Sequence, residues 1–139
     1  MEYDYSSEEF RKTTIYKTFI NNNSGKGVLK IEASTASEAF PLKGVEIIIS
    51  KRLDNDKIIF YKGVTNESGI IDGIILPTKE MNYEVNDISD ILYTTYDLDA
   101  NLSEYNLNKK YDVTIFDNVK VIQPITFSVT ELIGGEDNE

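Results

Sequence analysis

Cysteine, histidine and tryptophan are absent from this chain. Without Cys and His the usual tetrahedral zinc sites have no ligands. Cys–His and Ser–His–Asp nucleophilic machinery cannot be assembled within one chain. A histidine-based proton shuttle or pH switch is excluded as well. No disulfide can staple the fold, so packing alone must stabilise it. Positive charge is short: 14 Lys and Arg stand against 24 Asp and Glu, a net charge of −10. Nucleic-acid binding through phosphates needs a basic face and is not expected, and an anionic membrane surface is disfavoured for the same reason. No apolar run approaches the roughly 20 residues of a membrane-spanning helix.

What is present describes an ordinary globular chain. Of its 139 residues 40% are hydrophobic and 27% charged, enough for one domain with a real core. Most of the apolar residues are Ile, Val, Leu, Tyr and Phe, and all but Leu of these favour strands. The N-terminus, MEYDYSSEEF, has neither the basic nor the apolar stretch of a signal peptide. The expectation is synthesis in the cytoplasm, with exit from the cell by lysis or within an assembled particle.

Residues 1–26 read as an N-terminal arm and linker. Ser6-x-x-Glu9 has the pattern of a capping box for a short helix. TTIYKTFI (Thr13–Ile20) is rich in strand formers and suits an arm that adds to a neighbour's sheet edge; a first strand of the domain or a disordered tail are alternatives. NNNSGKG (Asn21–Gly27) reads as a loop. Residues 27–133 form the domain proper, and 134–139 a flexible tail.

Within the domain, Val28–Ala33 alternates with period two, as do Val45–Ser50 and Ile58–Val64. KRLDNDK supplies a hairpin turn between the last two. Asn66–Gly69 is a further tight turn, and Ile70–Leu76 a strand kinked at Gly73 and ended by Pro77. Residues 81–108 carry six acidic and no basic side chains, with four tyrosines. They read as a partner-facing excursion, an extra hairpin, or a short helix around Ile88–Tyr93. Strand signals return at Tyr111–Phe116 and in two segments, VKVI and ITFSVTEL, on either side of Gln123-Pro124. About seven short strands with turns between them predict an all-β sandwich.

The pattern resembles the carboxypeptidase regulatory-like, or transthyretin-like (prealbumin-like), β-sandwich domains over residues ~27–132. The resemblance rests on Pro41-x-x-Gly44-Val45, Thr65-Asn66-x-x-Gly69, Leu76-Pro77, Tyr111-x-Val113-x-Ile115 and Asn118-Val119-x-Val121. It implies an immunoglobulin-like or transthyretin-like sandwich and a non-catalytic stalk, adhesion or structural role, with some likeness to small domains attached to clostridial spore and phage-tail proteins.

Few residues suggest chemistry. Asp97, Asp99 and Asn101 open like a calcium loop, but Leu102 stands where the turn needs Gly and Asn108 where a bidentate Glu belongs. A Lys30–Asn118 isopeptide bond is a further candidate. With 24 acids, chance carboxylate pairs decide nothing about glycoside hydrolysis. The tyrosines offer contact area with a polar tip. Ile15, Tyr16, Phe19, Tyr83, Tyr93, Tyr96 and Tyr105 are therefore the candidate partner-binding residues, although the tyrosines of 81–108 could simply cap the open end of the sandwich. No catalytic residue, cofactor or metal is assigned. The functional expectation is a non-enzymatic subunit of a phage or phage-tail-like particle, docking on other protein subunits; the alternative is a spore-envelope or cell-surface module that binds protein or glycan. An acid-dependent hydrolase is the contrasting class.

Overall fold

The computed structural model describes residues 1–36, 40–81 and 91–133. Two sheets face each other. In chain order the elements are β1 (Glu2–Asp4), α1 (Glu8–Arg11), α2 (Thr14–Asn22), β2 (Gly25–Thr35), β3 (Glu46–Leu53), β4 (Asp56–Val64), β5 (Ile70–Thr78), β6 (Thr94–Leu102), β7 (Leu107–Ile115), β8 (Lys120–Phe127) and α3 (Val129–Leu132). One sheet has the order β1-β4-β3-β6-β7, the other β5-β2-β8. The all-β sandwich expected from the alternation is thus observed, with eight strands among the described residues.

Alternation explains the core. Leu29, Ile31 and Ala33 of β2 meet Ile47 and Ile49 of β3, Leu98 and Ala100 of β6, and Ile125 and Phe127 of β8, all buried. Each such side chain contributes on the order of 1.5–3 kcal/mol when fully desolvated. In β5 the period breaks: Ile74 lies opposite Leu29 but Ile71 opposite Ile31, so β5 carries one extra residue. Gly73, at φ +76°, absorbs it, as a bulge requires, and both Ile71 and Ile74 then face inward.

The Pro41–Val45 and Thr65–Gly69 segments interlock through one buried hydroxyl. Thr65 Oγ1 accepts the Val45 N–H at 2.9 Å and donates to the Leu42 carbonyl at 2.7 Å. Asn66 Oδ1 accepts the N–H groups of Ser68 and Ile70, closing the turn. Thr65→Val, nearly isosteric, leaves both loop groups without a partner. It is expected to cost about 2 kcal/mol in urea unfolding, whereas Thr65→Ser should cost less than half as much, since the hydroxyl remains.

Five expectations need correction. Thr13–Ile20 is not a strand: Thr13 Oγ1 accepts the Tyr16 N–H and starts α2. Ile15 and Phe19, like Tyr16 and Ile20, lie one helical turn apart, and Phe19 enters the core; this tertiary burial overrides β propensity. The segment 1–26 is not a free arm either. β1 pairs in parallel with β4, Phe10 is fully buried, and β2 already begins at Gly25. The cap of α1 is Ser7 rather than Ser6, with its hydroxyl accepting the Phe10 N–H at 3.1 Å.

The stretch 81–108 contains β6, which lies between β3 and β7 in the larger sheet. Its Thr94, Tyr96, Leu98, Ala100 and Leu102 are buried, while Asp97, Asp99 and Asn101 occupy the outer face. Asp97 and Asp99 are therefore one side of an ordinary half-buried strand. Residues 82–90, including Tyr83 and part of the proposed 88–93 helix, lie outside the described residues, as do 134–139. Finally, 119–132 is one strand followed by a short helix. β8 runs straight through Pro124, because this is an edge strand. Val28 N–H bonds Val119 O and Ala36 N–H bonds Phe127 O, which turns the odd residues toward β2 and leaves Pro124 facing the free edge, where no N–H is needed.

Candidate functional site

Where β3 ends and β6 begins, the sandwich opens, and α2 lies across the gap. A cleft of about 630 Å³ remains between them, within the size range of small-molecule sites. One wall is a helical stripe of Thr14, Ile15, Thr18, Phe19 and Asn22. The other comes from Lys51, Arg52, Leu53 and Asp54 at the β3–β4 turn, Lys79 after β5, and Tyr93, Thr94 and Thr95.

A closed polar network ties α2 to the sheets here. Thr94 Oγ1 donates to Asn23 Oδ1 and accepts the Lys79 N–H at 3.2 Å. Asn23 Nδ2 donates to the Phe19 carbonyl at 2.9 Å. Asn23 and Thr94 are both buried, so the bonds hold the last turn of α2 against β6 with no polar atom of this set stranded.

The electrostatics run against the rest of the molecule. Three cations and one carboxylate, Asp54, line a cleft in a chain of net charge −10. Lys51 continues the inward parity of Val45, Ile47 and Ile49. Its half-buried Nζ donates to the Thr95 carbonyl at 2.7 Å and sits 5.7 Å from the Tyr96 ring centroid. Burial pushes the Lys51 ammonium below the usual lysine range; Asp97 opposes this and Lys79 adds to it. Among the described residues neither Lys51 nor Lys79 forms an ion pair with a carboxylate. Arg52 is less available, since its Nη1 donates to the Asn55 carbonyl at 3.1 Å.

The structure separates the residues expected at a partner surface. Phe19 and Tyr96 are core residues; the Tyr96 hydroxyl donates to the Pro77 carbonyl. Tyr16 packs on Tyr5 and Phe10 and carries the Arg11 guanidinium over its ring. Ile15 and the exposed Tyr93 line the cleft. Tyr105 is exposed on a 3₁₀ turn between β6 and β7, remote in sequence register from the cleft. These six do not form one patch, and Tyr83 lies outside the described residues.

The calcium reading of Asp97, Asp99 and Asn101 fails because they stand on a strand. Asp99 pairs with Lys110, Asn101 bonds Asn108, and Arg52 and Lys57 line the same outer groove as Asp97. No group of three or more His, Cys, Asp or Glu suited to a metal occurs among the described residues. Lys30 salt-bridges Glu32 at 3.1 Å on the outer face of β2. Lys51, Lys79, Thr14 and Thr18 were not singled out in sequence. The available signal was a lysine on the inward parity of an Ile-rich strand, at a position where a fourth aliphatic would be expected.

No family model and no curated protein matches the chain. Among solved structures, Klebsiella pneumoniae 5-hydroxyisourate hydrolase is similar, at a TM-score of 0.48 and 15% identity, covering 73% of this chain and 84% of that one. The likeness is one of fold and assigns no reaction. The functional expectation is corrected: nothing in the comparisons indicates a phage or structural role, and the similar structure is that of a hydrolase. The reading as a non-enzymatic particle subunit, with its spore or cell-surface alternative, does not stand.

Proposed function

We propose that this chain is a carboxypeptidase regulatory-like sandwich that binds a small organic anion in the cleft beneath α2. The supporting observation is the pair Lys51 and Lys79, which line one cleft without a carboxylate partner among the described residues. Unpaired cations in a partly desolvated setting favour an anion. Ile15, Phe19, Leu53 and Tyr93 supply apolar contact for an organic body, and the Thr14 and Thr18 hydroxyls provide hydrogen-bonding groups on the same walls. The absence of histidine leaves lysine and threonine to carry the recognition.

The test is calorimetric titration with a series of small mono- and dicarboxylates, each beside its uncharged amide. Wild-type protein is expected to bind at least one acid and not its amide. Lys79→Gln, on the cleft rim, removes one charge-assisted contact of roughly 1.5–3 kcal/mol and should weaken binding about ten- to a hundredfold. Equal affinity for acid and amide, or affinity unchanged in Lys79→Gln, would refute the anion site.

A further inference from the structure

We infer that Lys51 is a carbonyl-reactive amine: it condenses with a small aldehyde or keto acid held in the α2 cleft, while Lys79 takes the acid's carboxylate. The inference rests on the anion-binding reading and deepens it by naming the ligand class.

Geometry comes first. Lys51 Nζ is anchored by its bond to the Thr95 carbonyl and by the Tyr96 ring. An uncharged amine keeps that bond with one N–H and retains its lone pair. Of the lysines paired in this protein, Lys30, Lys43, Lys109, Lys110 and Lys120 each face a carboxylate that favours the protonated form. Lys51 forms no such ion pair, although Asp97 on the neighbouring strand still favours its charged form, and it shares its cleft with Lys79. A lysine that is desolvated and set beside a second cation is the arrangement that activates an amine toward carbonyl carbon. Burial, the largest influence, and Lys79 act in that direction, and Asp97 acts against them. The alternating walls of hydroxyl and aliphatic side chain suit a short carbonyl compound with a charged end.

The step balances without a redox partner. The Lys51 nitrogen lone pair forms a bond to the carbonyl carbon. The carbonyl oxygen collects the two amine protons and departs as water, leaving a carbon–nitrogen double bond. Release is the same step reversed by water.

The experiment is incubation of the full chain with glyoxylate or pyruvate, trapping with borohydride, and peptide mapping by mass spectrometry. Lys51 is expected to carry about tenfold more reduced adduct than exposed Lys43 or Lys62, as proximity of a held carbonyl allows. Lys79→Gln keeps the Lys51 amine but removes both the carboxylate contact and the neighbouring cation, so it should lower labelling by the keto acid several-fold more than labelling by uncharged propionaldehyde, which loses only the second effect; an equal drop for both would show that Lys79 does not hold the carboxylate. Lys51→Arg should abolish the selective adduct while acid binding persists. Adduct spread over the lysines in proportion to exposure would overturn the inference. If carboxylates bind and no selective adduct forms, the anion site survives and the reactive amine does not; if neither occurs, both readings fall.

Discussion

Gly69→Ala should be among the most damaging single substitutions in this protein, costing about 2–5 kcal/mol from two separate terms. The first is conformational. Gly69 sits at φ +76°, which costs an L-residue roughly 1–2 kcal/mol. The second is steric. An added Cβ would lie 2.2 Å from the Ala33 carbonyl oxygen and 3.1 Å from the Leu42 nitrogen. That carbonyl cannot swing away freely, because it accepts the Leu42 N–H at 2.9 Å, and the Ala33 N–H donates to Gly69 O at 2.7 Å. Displacing packed backbone typically costs a further 1–3 kcal/mol or so. Against a total stability of roughly 5–15 kcal/mol, such a loss should move the urea midpoint far downward with little change in slope. Gly73→Ala is the control. It has the same φ of +76° but nothing within 4 Å of the new methyl, so it should show the conformational term alone. Equal losses at the two sites would show that the contact with Ala33 is not what makes Gly69 necessary.

Tyr96→Ala is expected to be comparably severe, at roughly 3–5 kcal/mol. The ring is 1% exposed and meets the Phe60 ring edge to face at 4.9 Å. Removing it leaves a void in the core. Tyr96→Phe isolates the hydroxyl and should cost only about 1–2 kcal/mol, the loss of one partner for the Pro77 carbonyl. The pH dependence separates the two effects. Burial first, and Tyr5 second, raise the Tyr96 phenol well above its ordinary value of 10.0. In the unfolded chain this tyrosine ionises near pH 10, whereas the folded protein retains the proton. Above about pH 10 the native state therefore binds more protons, and stability falls as pH rises. Tyr96→Phe should lose stability less steeply between pH 10 and 11.5 than wild type, as read by chemical denaturation across that range. Parallel curves would mean the phenol is not held neutral in the fold.

Period-two alternation was legible wherever one face of a strand is buried and the other wet, as in Val28–Ala33 and Tyr111–Ile115. Turn chemistry was legible too: Gly69 and Gly73 both occupy φ values open to glycine. The failures share a cause. Thr94–Leu102 alternates as cleanly as β2, but its exposed parity is Asp97, Asp99 and Asn101, and the count of acids obscured the pattern of Tyr96, Leu98 and Ala100 beneath it. Thr13–Ile20 contains residues compatible with either period; only the docking of Phe19 between the sheets selects the helix. Pro124 signals a break in a central strand and none on an edge, and edge position is a property of topology.

Alternation, turn formers and missing residue types thus determined, from sequence alone, that this protein is a sandwich packed without disulfides and that histidine or cysteine chemistry is closed to it. Tertiary structure alone decided that the N-terminal segment is a helix laid across the open end, and that Lys51 and Lys79, 28 positions apart in the numbering, line one cleft. The reason is physical: side-chain parity is a local property of the chain, whereas burial of a lysine and closeness of two like charges depend on which strands become neighbours.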